Sequence, residues 1–407
     1  MTAAIICEFN PFHNGHEYLI NEARKICGLQ GRIVAIMSGN YVQRGAPAVT
    51  DKWSRTRTAL NCGIDAVIEL PSVYAASGAQ FFAEAAVDIA DKLGSVDFLI
   101  FGSESGDAEI LQKVADQKVF PSREFEATLK SALKEGLAYP VAMQKALGAE
   151  TPLLSNDILA VEYLCALKKS GSAIKPIVVK RGGNTKHADS DLRVEKDNIT
   201  SANAIRNALC DSEKNLNSLK KYMPEKAFEE FSASLLKNGG PVTLKKYEQF
   251  IFGRILTLKP EGLSVLPFIT EGLENKLYQE CRNAASLEEL IENCVGKRYT
   301  RTRITRALTA LLTGAEQEKH FSKKIKIPYV RVLGVKSSCK DILGTISEGC
   351  KNSGTDFIPG ALPPDLKGLS PDSAALLDLE STATDIYYLA TPAKLSGAEF
   401  RQGLIIC

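Results

Sequence analysis

The sequence predicts an α/β protein built on a doubly wound parallel sheet. Short, continuous apolar runs alternate with segments of helical periodicity through the first half of the chain. Such runs are typical of parallel strands whose two faces are both covered by helices. A glycine-containing turn directly follows the first run, where open α/β sheets place their ligand loops. We therefore expect a sheet domain over residues 1–211.

Five apolar runs supply the expected strands of this domain. They are Ala3–Cys7, Ile33–Met37, Ala66–Leu70, Val96–Phe101 and Pro176–Val179. Helical patterns separate them, in the stretch from Gly15 and in Lys52–Cys62 and Gln80–Leu93. In the stretch from Gly15 the apolar residues recur with the helical period, which predicts a helix buried along one face.

The second half of the chain predicts two further units. Residues 212–324 are rich in Leu, Ala, Glu and Lys, and we expect a helical domain there. Residues 325–407 predict a small C-terminal α+β segment. It comprises a strand in Ile325–Gly334, a loop in Pro359–Pro371 and a helix in Asp372–Leu379.

Bulk composition is that of an ordinary globular protein. The chain has 407 residues, of which 44% are hydrophobic and 24% charged, which suits two or three domains. Its net charge of +2 means that nucleic-acid binding would depend on a local basic patch. No apolar run reaches the roughly 18 residues of a membrane span, and the N-terminus lacks a signal-peptide pattern. We expect a cytoplasmic protein with no membrane contact.

The ten cysteines are scattered, and no C-x-x-C pair occurs. This argues against zinc-ribbon and thioredoxin-like sites and favours free thiols in a reducing compartment. Cys7 lies close to the candidate site described next. We interpret it as an apolar residue at the end of a strand, because no positioned base accompanies it.

The segment His13–His16 carries an H-x-G-H motif between the first predicted strand and the first predicted helix. A helix N-terminus presents free backbone N–H groups and a positive dipole end to an anion. Two imidazoles there can donate hydrogen bonds to phosphate oxygens, and Gly15 leaves room for a nucleotide against the backbone. The motif therefore predicts a site that binds ATP and stabilises reaction at its phosphates.

A second motif of the same kind occurs in Thr200–Arg206. It also reads as a helix start, with hydroxyl groups at the cap and Arg206 in the second turn. Together the two motifs resemble those of the HIGH-type nucleotidyltransferase superfamily, which implies a Rossmann-like catalytic domain. The histidines and Arg206 are then the candidate catalytic groups.

Other polar residues follow the predicted strands. Gln43 and Arg44 come after the second strand and could reach a phosphate or a carboxylate, although an exposed loop is the favoured interpretation of this segment taken alone. Lys52 and Arg55 would face the same crevice or a solvated helix surface. Glu69, at the end of the third strand, is interpreted as a surface group.

Two later positions are candidates for nucleotide contact. Gly102 ends the fourth strand, where a glycine permits close approach of a ligand. Asn156 begins a helix and fits a capping role as well as a binding one. His187 and Asp189 are too few for a confident metal site, so we expect no resident metal and Mg²⁺ arriving with ATP.

The strongest candidate for an RNA-backbone contact is Lys297–Arg306, with five basic residues, one aromatic and no acid among ten. The alternative is a solvated helix start. The candidate contacts are Lys297, Arg298, Arg301, Arg303 and Arg306.

Longer stretches resemble the bacterial tRNA(Met) cytidine acetate ligase family along nearly the whole chain. The matching segments are Glu8–His16, Met37–Gly45, Phe101–Glu104, Ser155–Leu159 and Lys180–Arg181. The resemblance implies an enzyme that uses ATP and acetate to acetylate N4 of the wobble cytidine of elongator tRNA(Met). It makes the helical domain of residues 212–324 a candidate for tRNA binding. It implies ATP contacts at Cys7, Glu8, Phe9, Asn10, Pro11, Phe12, His13, Asn14, Gly15, His16, Ile20, Gly102, Asn156, Arg181 and Ser201.

The chain departs from the family pattern at three places. Ala46 stands where the family usually has Glu, Lys186 where it often has Tyr, and Asn203 where it more often has Thr. None of these positions lies in the H-x-G-H motif.

Three other functions compete with acetate ligation. A nucleotidyltransferase that adenylylates a small phosphorylated cofactor precursor needs little beyond one α/β domain, whereas roughly 200 residues follow it here. A non-catalytic RNA-binding protein would not need His13, Gly15, His16 and Arg206 intact. A class I aminoacyl-tRNA synthetase is disfavoured because the sequence lacks a K-M-S-K-S motif. Acyl-group selectivity and oligomeric state are not predicted.

Overall fold

The computed structural model describes residues 1–135, 139–148, 153–181, 199–210, 216–321 and 324–407. The strands are β1 (Thr2–Cys7), β2 (Arg32–Ser38), β3 (Tyr41–Val42), β4 (Ala46–Pro47), β5 (Ala66–Leu70), β6 (Phe98–Ser103), β7 (Lys175–Lys180), β8 (Tyr329–Val335), β9 (Asp356–Pro359) and β10 (Ile405–Ile406). All but the short β3–β4 ribbon join one sheet in the order β10-β8-β5-β2-β1-β6-β7, with β9 beside β8.

The order in which strands are added to the sheet reverses at β1. Strands β5, β2, β1, β6 and β7 are parallel. The chain runs from β1 outward through β2 and β5, then returns to the other side of β1 with β6. Open α/β sheets bind ligands outside the carboxyl ends of the strands at such a point. The predicted doubly wound α/β fold is confirmed.

Helices cover both faces of the sheet and dominate residues 216–321. They are α1 (Asn14–Cys27), α2 (Lys52–Asn61), α3 (Ser72–Ala75), α4 (Ala79–Lys92), α5 (Ala108–Val119), α6 (Arg123–Lys134), α7 (Tyr139–Leu147), α8 (Ser155–Ser170), α9 (Ala202–Cys210), α10 (Glu225–Lys237), α11 (Glu248–Leu263), α12 (Leu273–Cys281), α13 (Leu287–Cys294), α14 (Arg301–Thr313), α15 (Gln317–Phe321), α16 (Ile342–Ser353), α17 (Pro371–Leu389) and α18 (Ala398–Arg401). In the described ranges, none is long and apolar enough to span a membrane.

The expected C-terminal segment contributes its strands to the main sheet. Strand β8 pairs antiparallel with β5, while β9 and β10 lie parallel to β8. The helix expected over Asp372–Leu379 extends to Leu389. Its second half is buried and carries Glu380 and Thr384 into the interior. Because these buried positions are polar, the spacing of apolar residues does not predict the second half of the helix.

A cluster of buried charges joins this C-terminal part to the sheet. Nζ of Lys52 lies 2.5 Å from Glu399 and 3.3 Å from Glu380 and also contacts Glu69, while Arg331 pairs with Glu69 at 3.1 Å and with Glu399. These five side chains are almost fully buried. The surface positions expected for Glu69 and Lys52 are therefore wrong. Both side chains can be buried because the ion pairs compensate the free-energy cost of burying each charge.

Arg55, the other side chain expected at a crevice or on a solvated surface, is buried against backbone carbonyls. Its guanidinium donates hydrogen bonds to the oxygens of Glu8 at 2.7 Å, Ser38 at 3.0 Å and Thr50 at 3.1 Å. These carbonyls follow the ends of β1 and β2 and precede α2. Arg55 therefore holds together the loops that form the candidate site.

Candidate active site

The H-x-G-H motif forms the start of α1 through its own side chains. Nδ1 of His13, the N-cap residue, accepts a hydrogen bond from the Gly15 N–H at 3.0 Å. Nδ1 of His16 accepts one from the His13 N–H at 3.2 Å. The pair acts as a capping box, which satisfies two N–H groups that the helix itself cannot pair.

These contacts determine the tautomer of both imidazoles. A ring nitrogen that accepts a backbone N–H carries no proton, so in the neutral rings the proton is on Nε2. The rings are stacked with centroids 3.8 Å apart. Both Nε2–H groups are therefore available as donors at the cavity that His13 and His16 line.

Burial keeps the two histidines neutral. Burial lowers the pKa of His13 well below its usual range, and the nearby His16, Arg181 and Arg206 lower it further. Burial and the charge of Arg181 lower the pKa of His16 to about 3. Neutral donors beside two arginines form a site that favours a polyanion.

Phe9 and Phe12 pack against the ring of His16, which is also stacked on His13. The ring of His16 lies edge-on to Phe9 at 5.1 Å and tilted against Phe12 at 5.5 Å. Both phenylalanines belong to the core of the sheet domain. The H-x-G-H turn is therefore anchored by packing as well as by hydrogen bonds.

Arg206 brings the second motif to the first, as the sequence predicts. Ser201 accepts a hydrogen bond from the Ala204 N–H at 3.1 Å and so caps α9. From the second turn of α9, Arg206 donates to the carbonyl of Asn10 at 2.7 Å and to Oδ1 of Asn203 at 3.2 Å. The guanidinium therefore joins α9 to the loop that carries His13.

A cavity of about 690 Å³ opens where these elements meet. Its volume lies within the range of small-molecule sites. Among the predicted contacts, its wall includes Cys7, Glu8, Phe9, Asn10, His13, Gly15, His16, Ile20, Gly102, Asn156, Arg181, Ser201 and Arg206. The structure thus brings together residues that are up to about two hundred positions apart in the sequence, at the switch point of the sheet.

Three residues of the predicted ATP contacts lie outside the cavity wall. Phe12 is buried in the core at 2% exposure, and Pro11 is buried beside it. The side-chain amide of Asn14 donates to the carbonyl of Lys221 at 3.0 Å. Phe12 and Asn14 help to hold the turn in shape, and contact of these three residues with ATP stays a prediction.

Gly102 and the start of α8 form another part of the cavity wall. A Cβ at Gly102 would lie 3.2 Å from Cγ of Arg181, so glycine leaves space for that side chain. The carboxylate of Glu104 accepts the N–H groups of Asn156 at 3.2 Å and Asp157 at 3.0 Å. The start of α8 therefore already holds an anion. The capping role considered for Asn156 is wrong, because Asn156 lies inside α8 and donates its backbone N–H and side-chain amide to Glu104.

The basic segment Lys297–Arg306 divides into three parts. Lys297 and Arg298 are exposed in the loop before α14. Arg301 pairs with Glu288 and Glu292, and Arg303 binds Glu271 and the carbonyl of Phe268. Arg306 instead lines the cavity, and burial lowers its pKa to about 10.

Gly45 explains why Arg306 reaches the cavity. This glycine has a φ of 72°, and a Cβ there would lie 2.3 Å from the backbone nitrogen of Arg306. Close packing lets Nε of Arg306 donate to the carbonyl of Gln43 at 2.9 Å and Thr305 to that of Arg44 at 2.7 Å. Gln43, Arg44, Thr302 and Arg306 thus form one wall of the cavity.

Sequence reasoning missed the apolar wall residues on α4 and α8. Phe82, Leu159 and Tyr163 line it from α4 and α8. No local pattern distinguishes them from core residues, because they become cavity residues only when α4 and α8 pack against the sheet. His187, Asp189 and Lys186 lie outside the described residues.

Cys7 has the character expected of a strand-end residue. Its Sγ lies 3.9 Å from the carbonyl of Ile36, and burial raises the pKa of the thiol well above its ordinary range. A protonated thiol is a poor nucleophile.

Comparison with known proteins agrees with this geometry. The sequence profile of the HIGH Nucleotidyl Transferase family matches residues 1–402. A tRNA(Met) cytidine acetate ligase of Acetivibrio thermocellus is 36% identical over 422 residues, which cover 99% of each chain. The enzyme of the same name from Clostridium perfringens is 37% identical over 405 residues, covering 96% of this chain and 95% of that one.

Solved structures give the same result. The crystal structure of Thermotoga maritima TmcAL bound with alpha-thio ATP superposes with a TM-score of 0.85 at 29% identity, covering 100% of this chain and 99% of that chain. Its apo form gives 0.87 over the full length of both chains, again at 29% identity. The histidine site, the sheet order and these relatives agree, and the chain belongs to the HIGH nucleotidyl transferase family, within the group of tRNA(Met) cytidine acetate ligases.

Proposed function

We propose that this chain activates acetate with ATP and transfers the acetyl group to N4 of the wobble cytidine of elongator tRNA(Met). The observation that carries the proposal is the pair of Nε2–H donors of His13 and His16, set beside Arg181 and Arg206 in one cavity. Relatives that share 36–37% of its residues over nearly the full length carry the ligase name.

In the first step, a carboxylate oxygen of acetate attacks the α-phosphorus of ATP. The bond from that phosphorus to the bridging oxygen breaks, and pyrophosphate leaves. His13 and His16 would donate to phosphate oxygens as negative charge grows there, and Arg206 would balance it. Since the rings are neutral before ATP binds, they act as hydrogen-bond donors at the start of this step.

Acetyl-adenylate, the product of the first step, would remain in the cavity for the second. N4 of cytidine attacks the acetyl carbon, the bond to the phosphate oxygen breaks, and AMP leaves. The wobble base belongs to a single-stranded loop, so it can enter a pocket without breaking a base pair.

Mg²⁺ would accompany ATP in this scheme. Glu8 is the one carboxylate among the described residues of the cavity wall. The metal would therefore take its ligands mainly from phosphate oxygens and water, as Mg²⁺ commonly does. The three buried carboxylates Glu69, Glu380 and Glu399 offer no alternative, because Lys52 already lies between them.

The tRNA would approach along the start of α14. Arg306 and Thr302 line the cavity, and Lys297 and Arg298 are exposed a few residues earlier. This arrangement supports a path for the RNA backbone that ends at the reacting base. We accordingly assign catalysis to residues 1–211, tRNA contact to 212–324 and a supporting role to 325–407, in a cytoplasmic enzyme.

Acetate-dependent exchange of labelled pyrophosphate into ATP, measured without tRNA, tests the activation step. We expect exchange with acetate and none without a carboxylic acid. If exchange instead requires a phosphorylated cofactor precursor, the adenylylation alternative is correct. If ATP binds but neither compound supports exchange, the chain is not an acid-activating enzyme.

A further inference from the structure

We infer that Glu8 is the general base that accepts the proton of the attacking cytidine N4 amine. This inference rests on the proposed function and adds a residue to its second step. Glu8 directly follows β1 and lines the same cavity as His13 and His16. Its carboxylate contacts the wall formed by Gln43 and Arg306 through the Gln43 N–H.

One oxygen of Glu8 is held in place and the other is available. Oε1 accepts the Gln43 N–H at 2.8 Å. Within the described ranges, no hydrogen bond to Oε2 is formed. The backbone of Glu8 is fixed as well, because Arg55 donates to its carbonyl at 2.7 Å. A carboxylate held this way has a defined position and keeps an oxygen for a proton.

The second step requires such a group. As N4 forms a bond to the acetyl carbon, the electron pair of the carbon–oxygen bond leaves with AMP, and the nitrogen becomes positively charged. It must lose one proton to give the neutral amide. Oε2 of Glu8 accepts that proton and Glu8 becomes a neutral carboxylic acid. After the products leave, Glu8 returns the proton to solvent.

Other side chains of the described wall are unsuited to this role. Nδ1 of His13 and Nδ1 of His16 each already accept a backbone N–H, and their Nε2 atoms carry protons. Cys7 and Tyr163 are protonated, because burial raises the pKa of both and the charge of Glu8 adds to the effect. The remaining ionisable groups include Arg44, Arg181, Arg206 and Arg306, which are cations.

The interaction of Glu8 with Arg306 relates Glu8 to the expected path of the tRNA. The two groups interact, since the charge of Glu8 opposes the fall that burial causes in the pKa of Arg306. Gln43 connects them: its N–H donates to Glu8, and its carbonyl accepts Nε of Arg306 at 2.9 Å. A cytosine that reaches the acetyl group past Arg306 would present its amine to Glu8.

The test separates the two steps in a Glu8→Gln variant. Glutamine keeps the length of the side chain and an oxygen for the Gln43 N–H, but it cannot accept the proton. We expect acetyl transfer from synthetic acetyl-adenylate to tRNA to fall by about 10²–10⁴-fold, and acetate-dependent pyrophosphate exchange to fall at least tenfold less than transfer does. Transfer by the variant should rise steadily with pH as hydroxide replaces the missing base.

Two further variants complete the design. Glu8→Asp retains a carboxylate and should transfer faster than Glu8→Gln. Glu22→Gln makes the same chemical change on α1, at a residue that pairs with Lys25 and lies outside the cavity wall, and should match wild type in both assays.

Each outcome has one meaning. A loss of transfer at least tenfold greater than the loss of exchange, with transfer that rises with pH, supports Glu8 as the base. Transfer by Glu8→Gln within threefold of wild type overturns the inference, as does an equal loss of exchange and transfer. If wild type itself neither exchanges nor transfers acetate, the proposed function fails, and that failure is visible before any variant is compared.

Discussion

His13 donates its backbone N–H to Nδ1 of His16 at 3.2 Å, and its own Nδ1 accepts the Gly15 N–H at 3.0 Å. The two histidines therefore cap the start of α1 with their Nδ1 atoms. Their Nε2–H groups can then donate to a ligand in the cavity. One set of contacts serves both the fold and the chemistry, because capping requires an acceptor and phosphate binding requires a donor.

Both imidazoles should be neutral Nε2–H tautomers in the protein without ATP. Long-range ¹H–¹⁵N spectra of histidine-labelled protein distinguish this state from the charged ring. We expect His16 to remain neutral down to pH values approaching its pKa of about 3. A charged ring at pH 6 would show that the capping hydrogen bonds do not persist in solution.

His13→Asn should separate capping from catalysis. Asparagine is among the preferred N-cap residues, so thermal stability should stay close to that of wild type. Loss of the Nε2–H donor should reduce acetate-dependent pyrophosphate exchange by about 10²–10³-fold. His13→Ala should lose the same activity and, in addition, about 1 kcal/mol of stability measured by urea unfolding. Near-normal exchange in His13→Asn would mean that His13 has a structural role only.

The histidines should also make the fold sensitive to acid. Their pKa values are lower in the folded chain than the ordinary 6.5, so the unfolded chain binds more protons below that pH. The free energy of unfolding should therefore fall as the pH drops from about 6.5 towards 3. In urea unfolding, His16→Asn should show a smaller fall than wild type over this window. An equal fall would assign the acid sensitivity to other groups.

Lys52→Met should destabilise the fold more than Glu69→Gln. Removing Lys52 leaves three buried carboxylates with only Arg331 near them, a change that typically costs about 3–5 kcal/mol. Removing the charge of Glu69 instead leaves two carboxylates and two cations. Chemical denaturation of both variants measures the difference, and a larger loss in Glu69→Gln would contradict this description of the cluster.

Lys297→Ala/Arg298→Ala should weaken tRNA binding and lower its dependence on salt. For each phosphate that the variant no longer neutralises, the slope of log K against log salt should become shallower by about 0.7–0.9. Arg301→Ala should have a smaller effect, because Arg301 already pairs with Glu288 and Glu292. Filter binding at several salt concentrations tests both. Equal effects would show that Arg301 leaves its carboxylates to bind RNA.

The parallel strands could be predicted because each is a short apolar run with a local cause. The antiparallel insertion of β8 beside β5 could not, since the pattern of Tyr329–Val335 does not specify a partner strand. Arg331 made the difficulty greater: a buried arginine in a strand is stable only because Glu69 and Glu399, far away in the sequence, are its partners.

The candidate site was also predictable only in part. Both helix-start motifs could be recognised, because capping and anion binding depend on neighbouring residues. The position of Arg306 in the cavity could not, because it results from the packing of α14 on the turn at Gly45. Charge alone placed Arg306 with the exposed Lys297, whereas the structure places it beside Glu8 and Gln43.

The stoichiometry of the complete reaction tests the proposed activity most directly. Purified chain, ATP, labelled acetate and elongator tRNA(Met) should yield N4-acetylcytidine, AMP and pyrophosphate in equal amounts, with no product from tRNA whose wobble cytidine is replaced by uridine. Release of ADP and phosphate, or consumption of ATP to AMP with no label in cytidine, would contradict it.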